Sequence, residues 1–347
     1  MLFSSIAYTY AIENSAISEC IPRTTNSRVN SADDATSSQT AAITTMAAVL
    51  QSEKTALITG AASGIGFAVA KLCRSRRMHL ALLDIDAANL QKAKEVLVSE
   101  STDSSLKTEA YVIDVGDRSQ WDTITAQVQS SFATLDLVLL NAARGTKPKE
   151  LDPWVQSTEY WRQIFDTNVF GPVNGISAVL PILKKDPSST KAIIITGSKQ
   201  GITNPPGAHN PAYNSSKGAI KILTEHLAHD LRSDSTSAHI SAHLLVPGWT
   251  WTGLMGNVGP TNEKEIKKMK GSWAPSQVAE ELERGLQRGS FYIICPDDDV
   301  DRALDQARMQ WGCEDILEDR PALSRWEEGW KEKAEQAIRE DAERRRK

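Results

Sequence analysis

The chain has 347 residues, of which 40% are hydrophobic and 24% charged, with a formal net charge of -5. This length suits one large α/β core with terminal extensions, and the lack of net positive charge argues against nucleic acid or anionic lipid as a partner. No run of 18 or more apolar residues occurs, so no transmembrane segment is expected.

Residues 1–45 are rich in Ser, Thr and Ala and carry no apolar periodicity, which reads as a disordered tail or an over-long start. The opening MLFSSIAYTYAI lacks the basic n-region of a secretory signal. A cytoplasmic protein is therefore expected, with organelle targeting by this extension as the alternative. The four cysteines, Cys20, Cys73, Cys295 and Cys313, form neither a CxxC pair nor a zinc-like spacing, which suits a reducing compartment and no metal.

From Lys54 short apolar runs alternate with helical stretches: TALIT, FAVAKLCRSRR, LALLD, ANLQKAKEVLVSE and AYVID. The pattern continues through a helix around Trp121 to Phe132, the strand LDLVLLN, a helix around Tyr160 to Leu183, the strand AIIIT, a helix from Ser216 to Leu231 and the strand HISAHLLV. Apolar runs of this kind suit strands buried on both faces and joined by right-handed helical crossovers. The expected fold is α/β, a single doubly wound Rossmann-type parallel sheet with helices on both faces. A helix from Pro275 to Arg288 and the strand FYIIC close the core. Beyond them Trp326, Trp330, Ala334 and Ile338 mark one face of a charged terminal helix, and the closing RRRK suits a helix C-terminus. The boundaries read 1–50 for the N-terminal extension, 51–296 for the catalytic domain and 297–347 for a charged, largely helical C-terminal extension.

TGAASGIG, Thr59 to Gly66, lies between a strand and a helix, where a glycine-rich loop signals dinucleotide binding. Gly60 permits the sharp exit from the strand, Gly64 lets the backbone approach the pyrophosphate, and Gly66 lets helix and sheet close on each other. Ser63 and Ile65 complete a turn whose free amides meet phosphate at the helix N-terminus. Asp84 closes the next strand, where a carboxylate accepts from the adenosine ribose hydroxyls and repels a 2′-phosphate. Neither the loop residues nor Ile85 and Asp86 offer a compensating base, so NAD(H) is favoured over NADP(H).

Tyr213 and Lys217, in YNSSK, share one helix face through their i, i+4 spacing. A neighbouring ammonium stabilises phenolate, so the pair can exchange a proton with a substrate oxygen. Ser198, 15 residues upstream in TGSKQG, follows a parallel strand and so lies at the ligand-binding edge of the sheet, where its hydroxyl can hold that oxygen.

Together TGxxxGIG, the serine and YxxxK resemble the short-chain dehydrogenase/reductase family, over Lys54 to about Pro296. The resemblance implies hydride transfer between NAD(H) and a carbonyl or secondary alcohol, with Tyr213 as general acid/base, Ser198 polarising the oxygen and Lys217 binding the nicotinamide ribose. It further implies that Asn168, in DTNVFG, anchors a proton relay. Asp114 and Val115 would hold the adenine, Asn141 and Ala142 would line the cofactor groove, and Pro247, Gly248, Thr250 and Thr252 of PGWTWT would contact the nicotinamide. A homo-oligomer is implied as well. Two departures stand out: LNAA, with Leu140 and Ala143, replaces the usual NNAG, and the serine-to-tyrosine interval is two residues longer than usual, in NPPGAHNP. Trp249, Trp251, Leu254, Met255 and Trp273 fall in the segment that covers substrate in the family, which suits a mostly apolar, ring-containing substrate. A silent NAD(H)-binding sensor or scaffold, or epimerase or lyase chemistry with bound cofactor, are the competing readings. His226 and His229 lack the companions that a metal site needs.

Overall fold

β-branched and leucine-rich runs form the strands, and their alternating side chains split cleanly between two cores. In the computed structural model, which describes residues 49–145, 158–206, 211–256, 259–263 and 268–347, β1 is Thr55–Thr59, β2 His79–Asp84, β3 Thr108–Val112 and β4 Leu137–Leu140. β5 is Lys191–Thr196, β6 Ile240–Val246 and β7 Tyr292–Ile294. All pair in parallel in the order β3-β2-β1-β4-β5-β6-β7, as a doubly wound sheet requires. The expected extension over residues 1–45 and half of NPPGAHNP, residues 207–210, lie outside the described residues. The described residues all belong to the unit Thr40–Lys347.

Helices α1 (Gly64–Ser75) and α2 (Ala87–Ser99) cover one face of the sheet, and α3 (Arg118–Ser131) covers the other. α4 (Thr158–Phe165) runs through a π-turn, Asp166–Phe170, into α5 (Gly171–Leu183). The one-turn α6 (Gln200–Thr203), the long α7 (Pro211–Ser233) and α8 (Pro275–Gln287) follow. Ala56, Ile58, Leu80 and Leu82 point to the core under α1, α2 and α8, whereas Leu57, Ala81, Leu83 and Trp121 point to the core under α3, α5 and α7. Truncating any of these buried leucines to alanine removes about 2–5 kcal/mol. Because β1 pairs with β2 on one side and β4 on the other, the strand order reverses there and opens a crevice at the strands' C-terminal ends.

Three boundaries differ from the sequence reading. β3 ends at Val112, so Asp114 and Val115 lie in the loop after it rather than at its end. α7 begins at Pro211, five positions before Ser216, because proline suits a first helical turn. The helix expected over Tyr160 to Leu183 is broken by the π-turn, in which the Gly171 amide donates to the Asp166 carbonyl. Gly171 is forced by packing, since a Cβ there would lie 2.8 Å from Val115 Cγ2.

The C-terminal region forms α9 (Arg302–Leu317) and α10 (Lys331–Arg346), sealed by Ala303, Ala307 and Trp311 against Ala334, Ile338 and Ala342. Of the anticipated stripe, Trp330 caps α10 and packs against this cluster, whereas Trp326 ends a separate 3₁₀ turn. Of the closing basic run, Arg346 bonds Asp301, the N-cap of α9. Among the described residues no helix is long and apolar enough to cross a membrane.

Candidate active site

Two strands end in the same dipeptide, Ile-Thr followed by Gly, and both threonines work at the crevice. Thr59 Oγ1 accepts from the amides of Asn141 at 2.8 Å and Ala142 at 3.0 Å. Thr196 Oγ1 donates to Asn141 Oδ1 at 3.1 Å, and Asn141 Nδ2 returns to the Thr59 carbonyl at 3.2 Å. The ends of β1, β4 and β5 are thereby locked together. These threonines were missed in the sequence, although their repeated place at strand ends was a usable signal. Leu140, standing where the family has its first asparagine, is buried.

The glycine-rich turn has the backbone its residues predict. Gly60 and Gly64 adopt φ of 67° and 52°, and a Cβ on Gly66 would stand 2.1 Å from the Gly60 carbonyl oxygen. Ser63 holds the N-cap position of α1 without a capping bond from its hydroxyl, and Ile65 is buried behind it. Asp84 Oδ2 accepts from the Ala62 amide at 2.9 Å, fixing the turn against β2. The helix N-cap is Asp86, not Asp84, which leaves the Asp84 carboxylate at the mouth of the turn. Asp114, exposed, accepts from Gly116 N, while Val115 is buried and its carbonyl takes the indole of Trp121 at 3.0 Å. This cradle of glycine backbone, helix N-terminus and carboxylate fits a dinucleotide.

Beside it, Lys217 on α7 is buried and its Nζ donates to the Thr196 carbonyl at 2.8 Å. The same Nζ lies 5.6 Å from the centroid of the Tyr213 ring. Burial lowers the Lys217 ammonium to about 8. Burial also pushes the Tyr213 phenol up, against a downward pull from its hydrogen bond with the Ser198 side chain. Burial therefore shifts the phenol opposite to the ammonium effect anticipated from YxxxK. Ser198 Oγ also accepts from Gln200 N at 3.2 Å, which holds it at the start of α6. Asn168 sits in the π-turn, 1% exposed. Its Nδ2 donates to the Arg144 carbonyl and to Ser216 Oγ, both at 3.1 Å, and its Oδ1 accepts from Arg144 N at 2.7 Å. Ser198, Tyr213, Lys217 and Asn168 are thus joined, directly or through Thr196 and Ser216, by α6, α7, β5 and the π-turn.

The segment after β6 folds over the nucleotide turn. Thr252 packs on Gly64, where an added Cβ would lie 3.0 Å from Thr252 Cβ. Thr250 is buried and its Oγ1 donates to the Gly248 carbonyl, which follows Pro247. Trp251 and Trp273 pair through their backbones at 2.9 Å. Trp249, Leu254 and Met255 are exposed at 40%, 46% and 42%, while Trp273 packs on the core, so the aromatic wall anticipated there is only partly free.

The short chain dehydrogenase family model matches residues 54–263. The chain belongs to this family. It is 29% identical over 202 residues to a CLA biosynthesis dehydrogenase/reductase of Lactiplantibacillus plantarum, covering 58% of this chain and 66% of that one. Among solved structures, a short chain dehydrogenase/reductase from Burkholderia phymatum in complex with NAD superposes with a TM-score of 0.65 at 26% identity, covering 78% of this chain and 96% of that one. An alcohol dehydrogenase from the archaeon Thermococcus sibiricus, complexed with 5-hydroxy-NADP, gives a TM-score of 0.55 at 25% identity, covering 68% and 91%. Membership makes the chain an oxidoreductase of the short-chain type, and these structural relatives hold an NAD in one case and an NADP derivative in the other.

Proposed function

We propose that the protein transfers hydride between NAD(H) and the carbonyl or secondary alcohol of a small, mostly apolar substrate, with Tyr213 as general acid/base. The observation that carries this reading is the convergence of Ser198, Tyr213 and Lys217 at the end of β5, which Asn141 after β4 ties to the end of β1. The bound nicotinamide supplies or accepts the hydride. Ser198 orients and polarises the substrate oxygen, to which Tyr213 gives its proton in reduction. A buried phenol holding its proton above the usual value is already in the donor form at neutral pH. In oxidation the phenolate must form, and Lys217 is the cation near enough to stabilise it. Lys217 also binds the nicotinamide ribose, and Asn168 holds the relay through Ser216 and Arg144.

NAD(H) rather than NADP(H) is inferred from Asp84, which presents negative charge where a 2′-phosphate would lie. Asp114, Val115, Asn141 and Ala142 flank the adenosine and nicotinamide ribose, and Pro247, Gly248, Thr250 and Thr252 flank the nicotinamide. Trp249, Leu254 and Met255 form an apolar wall for a ring-bearing substrate. We further infer a cytoplasmic homo-oligomer whose catalytic domain spans residues 51–296 between an N-terminal extension, 1–50, and a C-terminal one, 297–347. The reading is tested by following NADH and NADPH absorbance with benzil, 1-tetralone and cyclohexane-1,2-dione, and NAD+ reduction with 1-indanol. Turnover with NADH preferred supports it. Tight NADH binding with no turnover of any compound would instead favour the sensor reading.

A further inference from the structure

We propose that Lys199 is a positioning residue for Ser198, clamped by Asp297 and by Asp305 of α9, so that the C-terminal extension is a working part of the catalytic unit. The inference rests on the reading of Ser198 as the group that orients the substrate oxygen. Lys199 directly follows Ser198, and its Nζ lies 2.6 Å from Asp305 Oδ2 and 3.2 Å from Asp297 Oδ2. The three side chains are 12%, 3% and 8% exposed, so the cluster is shielded from water, where a charged pair has to be held by good geometry.

The clamp reaches both loops that frame the reacting atoms. On one side, Lys199 N donates to the Pro247 carbonyl at 3.1 Å, and Gly201 N to the Ser198 carbonyl at 3.1 Å, fixing the entry to α6. On the other, Asp297 Oδ2 accepts from Trp249 N at 3.3 Å, so one carboxylate ties the Ser198 loop to PGWTWT. Gly248 lets the backbone pass beside the ion pair: a Cβ there would lie 2.5 Å from Asp297 Oδ2 and 2.8 Å from Lys199 Nζ. Asp305 lies in the first turn of α9, whose N-cap Asp301 is in turn gripped by Arg346 at the end of α10. Two ion pairs, joined by the first turn of α9 between Asp301 and Asp305, therefore link the last helix to the residue beside Ser198.

A structural role and a positioning role differ in what a neutral replacement restores. We compare the full-length protein with Ser198→Ala, Asp305→Asn and the double variant Lys199→Met with Asp305→Leu. The readouts are melting temperature, NADH affinity by fluorescence, kcat for the panel ketone reduced fastest, and deuterium uptake of residues 197–206 in the NADH complex. The double variant removes one cation and one carboxylate together and leaves Asp297 with the Trp249 amide, so its melting temperature is expected to fall by no more than several degrees. Its kcat is expected to fall at least tenfold and loop uptake to rise, with NADH affinity changed less than twofold. A kcat within threefold of the parent overturns the proposal. Should the double variant not fold, Asp305→Asn decides by the same threefold limit. Ser198→Ala separates the two levels: full turnover without this hydroxyl overturns the underlying assignment itself, whereas its loss alongside an active clamp variant overturns only the role of Lys199.

Discussion

Burial moves Tyr213 and Lys217 in opposite directions, and each shift favours the uncharged side chain. For Lys217 the consequence for stability has a definite sign. The unfolded lysine keeps its proton up to about 10.5 and the folded one only to about 8, so between these values the unfolded state binds more protons and stability rises with pH. The rise attributable to this group is about 3 kcal/mol at most. Lys217→Met should flatten it, so that the mutant's melting temperature gains on the parent at neutral pH and loses that advantage as pH climbs towards 10.5. Parallel curves for the two proteins would refute a buried ammonium. The proposed preference for NAD(H) makes an independent prediction, since it assigns the discrimination between cofactors to the charge of Asp84 and not to its size. Asp84→Asn should lower the NADH to NADPH specificity ratio about tenfold, the equivalent of about 1.4 kcal/mol. An unchanged ratio in paired kcat/KM measurements would move the discrimination to another residue.

The elements that carry the site were readable where local chemistry alone decides them. TALIT and AIIIT are short continuous apolar runs that suit a doubly covered parallel strand, and the glycine spacing after β1 needs no tertiary information. The closest approach in the turn gives a sharp test. Gly66→Ala would put a methyl 2.1 Å from the Gly60 carbonyl oxygen, so the turn must open. NADH affinity is expected to fall at least tenfold and stability by about 1–3 kcal/mol, the usual range for overpacking; titration calorimetry and thermal melts measure both. The π-turn at Asn168 was not readable. It depends on Val115 filling the space beside Gly171, a contact 56 residues apart in sequence, and on Pro172, which lacks an amide to continue the α-helical ladder. The early start of α7 has a local reason, Pro211, whose fixed φ suits a first helical turn.

At the scale of the molecule, the order of motifs was legible but the link from the C-terminal helices to the Ser198 loop was not. Nothing in the spacing of Lys199, Asp297 and Asp305 announces an ion cluster, because the three meet only after β6, β7 and α9 have been laid beside α6. The proposed function requires that Tyr213 pass the proton while a nicotinamide exchanges hydride. The most direct measurement is steady-state NADH oxidation by parent and Tyr213→Phe on the best panel ketone, with NADH affinity determined for both. The account predicts a loss of about 10²–10⁴ in kcat with NADH affinity within twofold. Turnover by Tyr213→Phe within a few-fold of the parent would contradict it.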